Sequence, residues 1–160
     1  MIGRAVFLLG ALAGGTGLSQ FPEFSQQYLQ RLAGQVEALT VVVRDFDASA
    51  RKNGLSREDA LAEMTGNAFL DDRQQDLRRT FLRHARLSDN LVALREATPL
   101  ARILMPQRLG DTETLAATWG DFRPAVPVTM EGLAAAGIGF LGGGMALSGL
   151  LWPFRRRARG

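Results

Sequence analysis

The stretch from Pro127 to Trp152 limits what this chain can become. Between Gly132 and Phe154 no residue carries a charge. As a helix rising about 1.5 Å per residue, that run crosses the roughly 30 Å of hydrocarbon in a bilayer. Arg155, Arg156, Arg157 and Arg159 follow directly. An apolar span closed by arginines is the pattern of a cytoplasmic anchor, and Trp152 stands where an aromatic belt residue belongs.

A second apolar stretch lies at the other end. Met1–Arg4 is short and positive, and Ala5–Pro22 carries no charge. That length reaches roughly 27 Å as a helix, enough for one crossing. A secretory signal peptide is the competing reading, with Gly17-Leu18-Ser19 offering small residues to a peptidase. The apolar run is longer than a signal core, and Phe21 and Phe24 then serve as interfacial aromatics, so a retained anchor is expected. Arg4 and the C-terminal arginines would share the cytoplasmic side.

Charge distribution argues for the same topology. Of the 19 Lys/Arg, Arg4, Arg155, Arg156, Arg157 and Arg159 flank the apolar ends; of the 16 Asp/Glu, all but Glu131 lie between Phe21 and Val126. The middle is therefore close to neutral, and the net +3 reflects the flanks. Charge placed this way marks topology and does not make a phosphate-binding face, so no nucleic-acid partner is expected. Cysteine is absent, which removes a disulfide framework, thiolate metal ligation and a cysteine nucleophile.

The middle reads as helix throughout. Phe24, Tyr28, Leu32, Val36, Leu39, Val43 and Phe46 recur at spacings of four and three, a helical stripe that approaches a heptad seam. Pro22 suits the first turn, where its missing N–H costs nothing. Asn53-Gly54 ends this helix, and Ser56 caps a short one, with Asp59 three residues on. A longer helix to about Ala97 carries Leu70, Leu77, Phe81, His84, Leu87, Leu91 and Leu94 on one stripe. The two long helices should pair antiparallel, since neither can hold its stripe in water alone. Pro99 and Pro106 then cut the chain into short pieces, Leu100–Met105 and Asp111–Phe122, the second capped by Asp111 or Thr112. Trp119 and Phe122 read as belt residues or as lying under the helical domain. Arg123–Pro127 is an extended connector, because residues before proline avoid the helical region.

Phe21-Pro22-Glu23-Phe24-Ser25-Gln26-Gln27-Tyr28-Leu29-Gln30-Arg31-Leu32, Phe69-Leu70-Asp71 and Phe122-Arg123-Pro124-Ala125-Val126-Pro127 resemble a family of small bacterial inner-membrane proteins of unknown function. The resemblance spans most of the chain, including both apolar ends. It implies a bacterial inner-membrane location and transfers no functional residue.

Motifs that could carry chemistry read more simply as structure. Gly137-Ile138-Gly139-Phe140-Leu141-Gly142 matches G-x-G-x-x-G, but that fingerprint needs a preceding strand and an acid about 20 residues on. Here it lies in an apolar span followed by arginines. Ala135, Gly139 and Gly143, spaced by four, instead suggest a close-packing helix face, with Gly10 and Gly14 as a matching pair on the first span. Gly142-Gly143-Gly144 could also kink the helix. Glu131 is the single acid at the edge of either span: a first-turn carboxylate favoured by the helix dipole, or an intramembrane acid serving a proton or ion path. His84 reads as a seam residue, and Asp71, Asp72 and Asp76 as a helix start and a solvated face.

The expected architecture is an all-α membrane protein. A two-transmembrane-helix hairpin carries an extracytoplasmic, antiparallel, coiled-coil-like helical domain. Residues 1–21 form the first span, 22–126 the periplasmic hairpin, 127–153 the second span and 154–160 a basic cytoplasmic tail. No catalytic constellation, cofactor or small-molecule substrate is expected. The expected function is contact: an accessory or assembly subunit, as a homo-oligomer or within a larger membrane complex. The alternative is an oligomeric channel or transport component with Glu131 near the pore mouth.

Overall fold

A computed structural model of the protein describes residues 2–124 and 129–150. Every regular element among them is helical: α1 (Ile2–Ser19), α2 (Phe21–Lys52), α3 (Arg57–Ala62), α4 (Ala68–Glu96), two 3-10 turns (Ala101–Leu104 and Pro106–Leu109), α5 (Thr112–Asp121) and α6 (Met130–Leu150). Two of these stretches, one beginning with α1 and the other α6, are long and apolar enough to cross a membrane. The chain divides into two compact units, one of residues 1–28 with 97–160 and the other of residues 29–96.

In the first unit α1 and α6 pack along their length in opposite directions. Phe7 lies against Gly144, Gly10 against Gly143 and Leu147, Gly14 against Gly139, and Gly15 against Ala136 and Phe140. Ala11 and Ala135 are fully buried. Leu8, Leu9, Leu12, Leu133, Ile138, Leu141 and Met145 point outward and are exposed. Small residues thus bring the two backbones together, Phe7 and Phe140 meet edge to face beside them at 6.3 Å, and most other large apolar side chains face away. That is the reverse of a water-soluble helix pair, whose large side chains fill the core. Helix α6 continues through Gly142-Gly143-Gly144, with Gly142 facing open space, Gly143 the Gly10 carbonyl and Gly144 the Phe7 ring.

The second unit is organised by side chains. Val43, Leu61 and Phe81 form one buried cluster in it, with Phe46, Met64 and Leu77 packed around them, and Leu32, Leu87 and Leu94 are buried as well. The Phe46 and Phe81 rings meet edge to face at 5.2 Å. Local signals explain the corner. Gly54 at φ +72° ends α2 in the left-handed region that glycine alone enters without strain. Ser56 caps α3, its Oγ accepting from Asp59 N–H at 3.2 Å and donating to Asp59 Oδ2 at 2.6 Å. Gly66, at φ +111°, and Asn67, whose Oδ1 accepts from Leu70 N–H at 3.0 Å, start α4. The side chain of Gln74 donates to the Leu61 carbonyl at 2.6 Å and fixes α3 on α4.

His84 joins the long helices of this unit. Thr40 Oγ1 donates to the Val36 carbonyl at 2.7 Å and lies 2.9 Å from His84 Nε2. Asp76 takes ion pairs from Arg79 and, at 3.5 Å, from Arg73. These pairs lie on an exposed face, where such contacts contribute little.

Candidate functional site

Three arrangements could carry function. The first is the α1–α6 seam. A Cβ built on Gly14 would fall inside van der Waals contact of the Gly139 carbonyl and at 3.0 Å from Gly143 Cα. One on Gly139 would strike the Gly14 backbone, with Leu18 Cβ at 2.9 Å, and one on Gly143 would strike the Gly10 carbonyl. What these glycines meet is backbone, which cannot rotate away. The four-residue spacing of Gly10 and Gly14, and of Ala135, Gly139 and Gly143, places them on one stripe per helix. At this range carbonyl oxygens can also accept weak Cα–H bonds across the seam. Gly17, Gly137, Gly142 and Gly149 have open space instead. The G-x-G-x-x-G string is thus split: Gly139 faces α1, while Gly137 and Gly142 face outward.

The second arrangement is a buried polar cluster in the same unit. Tyr28, Ser25, Thr114 and Thr118 are all fully buried, and Asp111 and Arg102 nearly so. Asp111 caps α5: its Oδ1 accepts from Thr114 N–H at 3.1 Å and from Thr114 Oγ1 at 2.8 Å. The Tyr28 hydroxyl accepts from Asp111 N–H at 3.4 Å, and Thr118 Oγ1 donates to the Thr114 carbonyl at 2.7 Å. Arg102 donates to Gln26 Oε1 at 3.3 Å, and burial pushes its guanidinium below the usual arginine value. Among the described residues no buried side-chain nitrogen or oxygen lacks a partner. A cluster with all its hydrogen bonds made fixes position; it fastens α5 and the 3-10 turns to the start of α2.

The third is an open groove of about 480 Å³ lined by Asp47, Arg51, Leu55, Ser56, Arg57 and Glu58. Arg57 binds Asp47 through two parallel bonds of 2.7 and 2.6 Å, and its guanidinium lies 4.9 Å from the Phe81 ring centre. The hydrogen bond from Arg57 holds the Asp47 carboxyl below the usual carboxylate range, with the Arg57 and Arg51 charges adding to it. Arg57 is thus committed to Asp47 and Phe81, and the groove is walled by a structural ion pair.

Glu131 lies in the first turn of α6 and is exposed. Its turn is capped by Thr129, whose Oγ1 accepts from Gly132 N–H at 3.1 Å. Arg4 is exposed near the start of α1. Trp152, Arg155, Arg156 and Arg157 lie outside the described residues.

A family model described as Protein of unknown function (DUF2937) matches residues 2–160. The chain belongs to this family. Comparison with curated proteins and with solved structures finds no match. The family's description carries no activity, so the arrangements above rest on their own geometry. Two of them are hard to find in sequence. Tyr28 reads as one more member of an apolar stripe, and its hydrogen bond to Asp111 joins positions 83 residues apart. Asp47 and Arg57 stand ten apart across a turn, a spacing with no helical meaning. For the polar cluster a signal does exist: Thr114 and Thr118 recur one turn apart behind a capping aspartate.

Proposed function

We propose that this family member is a two-span membrane protein of non-catalytic function, an assembly or accessory subunit that works through contact. The observation that carries this reading is the α1–α6 hairpin, seated through glycine backbone with Leu8, Leu9, Leu12, Ile138, Leu141 and Met145 turned outward. Outward leucines suit hydrocarbon, and a seam of small residues suits helices that associate by close packing where hydrophobic driving force is missing. Since the glycines are occupied inside the hairpin, partners would meet its outer apolar faces or the 29–96 unit.

Topology completes the proposal. Arg4 and the arginines after Trp152 favour a cytoplasmic location for both termini, with residues between the spans on the periplasmic side of a bacterial inner membrane. A reporter that is active only in the cytoplasm, fused after Gly160, should be active. For contact function, extraction from native membranes in mild detergent should give a species well above the 17.4 kDa of one chain, alone or with other proteins. A clean monomer in several detergents and in nanodiscs would sink the assembly reading and leave only an anchored domain.

A further inference from the structure

Helix α5 has an unusual division of faces. Its fully buried side chains are Thr114 and Thr118, both 0% exposed, whereas Leu115 and Trp119 are 38% and 72% exposed. At about 100° per residue, Leu115 and Trp119 centre roughly 120° from Thr114, and the exposed Glu113 and Asp121 centre roughly 300° from it. The helix therefore shows hydroxyls to the protein, a leucine and a tryptophan to one side, and carboxylates to the opposite side. A ten-residue helix in water would be expected to bury Leu115 and Trp119 and expose the threonines.

Trp119 does not stand alone. Phe24 packs edge to face on it at 5.9 Å and on Phe122 at 5.5 Å. The level of this aromatic cluster follows from the chain. Helix α1 is 18 residues long, close to the hydrocarbon thickness of a bilayer, and ends at Ser19. Phe24 is the fifth residue beyond it, roughly 7.5 Å further at helical rise, and because the ~27 Å of α1 falls about 3 Å short of the core, Phe24 stands about 4–5 Å outside the hydrocarbon. The headgroup region is about 5–7 Å thick on each side, by difference between the whole bilayer and its core. That is the layer in which tryptophan concentrates in membrane proteins.

We infer that α5 is an interfacial helix, resting in the headgroup layer of a lipid bilayer with Leu115 and Trp119 inserted toward the acyl chains and Glu113 and Asp121 toward water. The occupant of this face is lipid. Its exposed apolar surface lies in the same compact unit as the outward leucines of α1 and α6, and its acidic residues lie away from Leu115 and Trp119. The Tyr28–Asp111–Thr114 hydrogen bonds hold α5 at this level against the start of α2, so the protein would set its depth by three contacts: two spans and one surface helix.

This inference rests on α1 and α6 spanning the membrane, and its test separates the two. The full-length chain with Trp152→Phe, which leaves Trp119 as the sole tryptophan, is reconstituted in phosphatidylcholine vesicles. The lipid is plain, carries bromines near the headgroup end of the acyl chains for Trp119, or carries them deep in the chains for position 138, which lies near the middle of α6. A second chain, Trp119→Phe/Trp152→Phe/Ile138→Trp, reports on the exposed face of α6. Trp119 emission should fall by more than half in the brominated vesicles and be shielded from aqueous acrylamide. Quenching at position 138 with none at Trp119 would overturn the interfacial helix and leave the spans standing. If Trp119 were then also shielded from acrylamide, the face would belong to a protein partner. Quenching at neither position would overturn both readings.

Discussion

The two helical pairs in this protein are held by opposite means. Between α1 and α6 the contact is made chiefly by what is missing: glycines bring backbone to backbone, with the Phe7–Phe140 pair beside them, and most large side chains turn away. In the 29–96 unit contact is made by what is present: Phe81, Phe46, Val43 and Leu61 interlock, with Arg57 stacked on the ring and pinned by Asp47. The difference is instructive because seven of the 21 residues of α6 are glycine, a poor helix former in water, so intrinsic propensity does not hold that pair together. In water, burying an apolar stripe is itself the driving force. Under the proposed membrane placement it is absent for α1 and α6, so their association must come from close packing and weak polar contacts.

The largest expected effect breaks this comparison at the seam. Gly139→Leu puts a branched side chain against the Gly14 backbone, which can yield only if the helices part. The cost should reach or exceed the top of the roughly 1–3 kcal/mol typical of overpacking. Little monodisperse protein should survive extraction and mild heating. Gly142→Leu, three residues on and facing open space, should change stability by less than about 1 kcal/mol. Equal losses from the two substitutions would mean that α6 does not present the face described.

Next in size is the removal of a side chain from the other unit. Phe81→Ala deletes a ring that is 8% exposed and contacts both Phe46 and Arg57. Phenylalanine truncations in cores cost about 3–5 kcal/mol, and the partial exposure of its neighbours places this one toward the lower end. Limited proteolysis with mass-spectrometric mapping should find new cuts within 29–96 and none in α1 or α6. Cuts appearing in both units together would show that the two pairs fold as one cooperative body, and the contrast between them would lose its energetic meaning.

How far this contrast is legible in sequence depends on the kind of contact. Apolar stripes at spacings of three and four mark the helices, and Ser56, Asp111 and Gly54 mark their ends, because those signals are local. The period-four glycines are equally visible, but their register, Gly14 on Gly139 and Gly10 on Gly143, is a tertiary fact. No change of composition marks Tyr28 or Ala97, where the compact units divide. The inward threonines of α5 run against hydrophobic patterning, since a periodicity reading assumes that the large apolar residues face the protein. Pattern predicts burial only when the solvent is water.

The smallest effect sharpens the comparison by asking what polar contact adds to a side-chain-built unit. In Asp47→Asn the bidentate partner of Arg57 is weakened and a carboxylate whose proton affinity is lowered by that partner is removed. The Arg57 side chain is 40% exposed and that of Asp47 23%, so solvent screening limits the loss to about 1 kcal/mol. The sign follows from linkage. A carboxyl that ionises more readily folded than unfolded contributes stability above its unfolded pKa, about 3.9 for aspartate, and loses it as pH falls through the lower folded value. Urea unfolding of the full chain in micelles should therefore show the wild type ahead of Asp47→Asn at pH 7. That lead should narrow below about pH 4, where Asp47 in the unfolded chain begins to take up a proton that the folded carboxylate still refuses. A gap that stayed constant down to pH 3 would assign the loss to packing around Phe81 instead of charge, leaving the 29–96 unit held by side-chain shape alone.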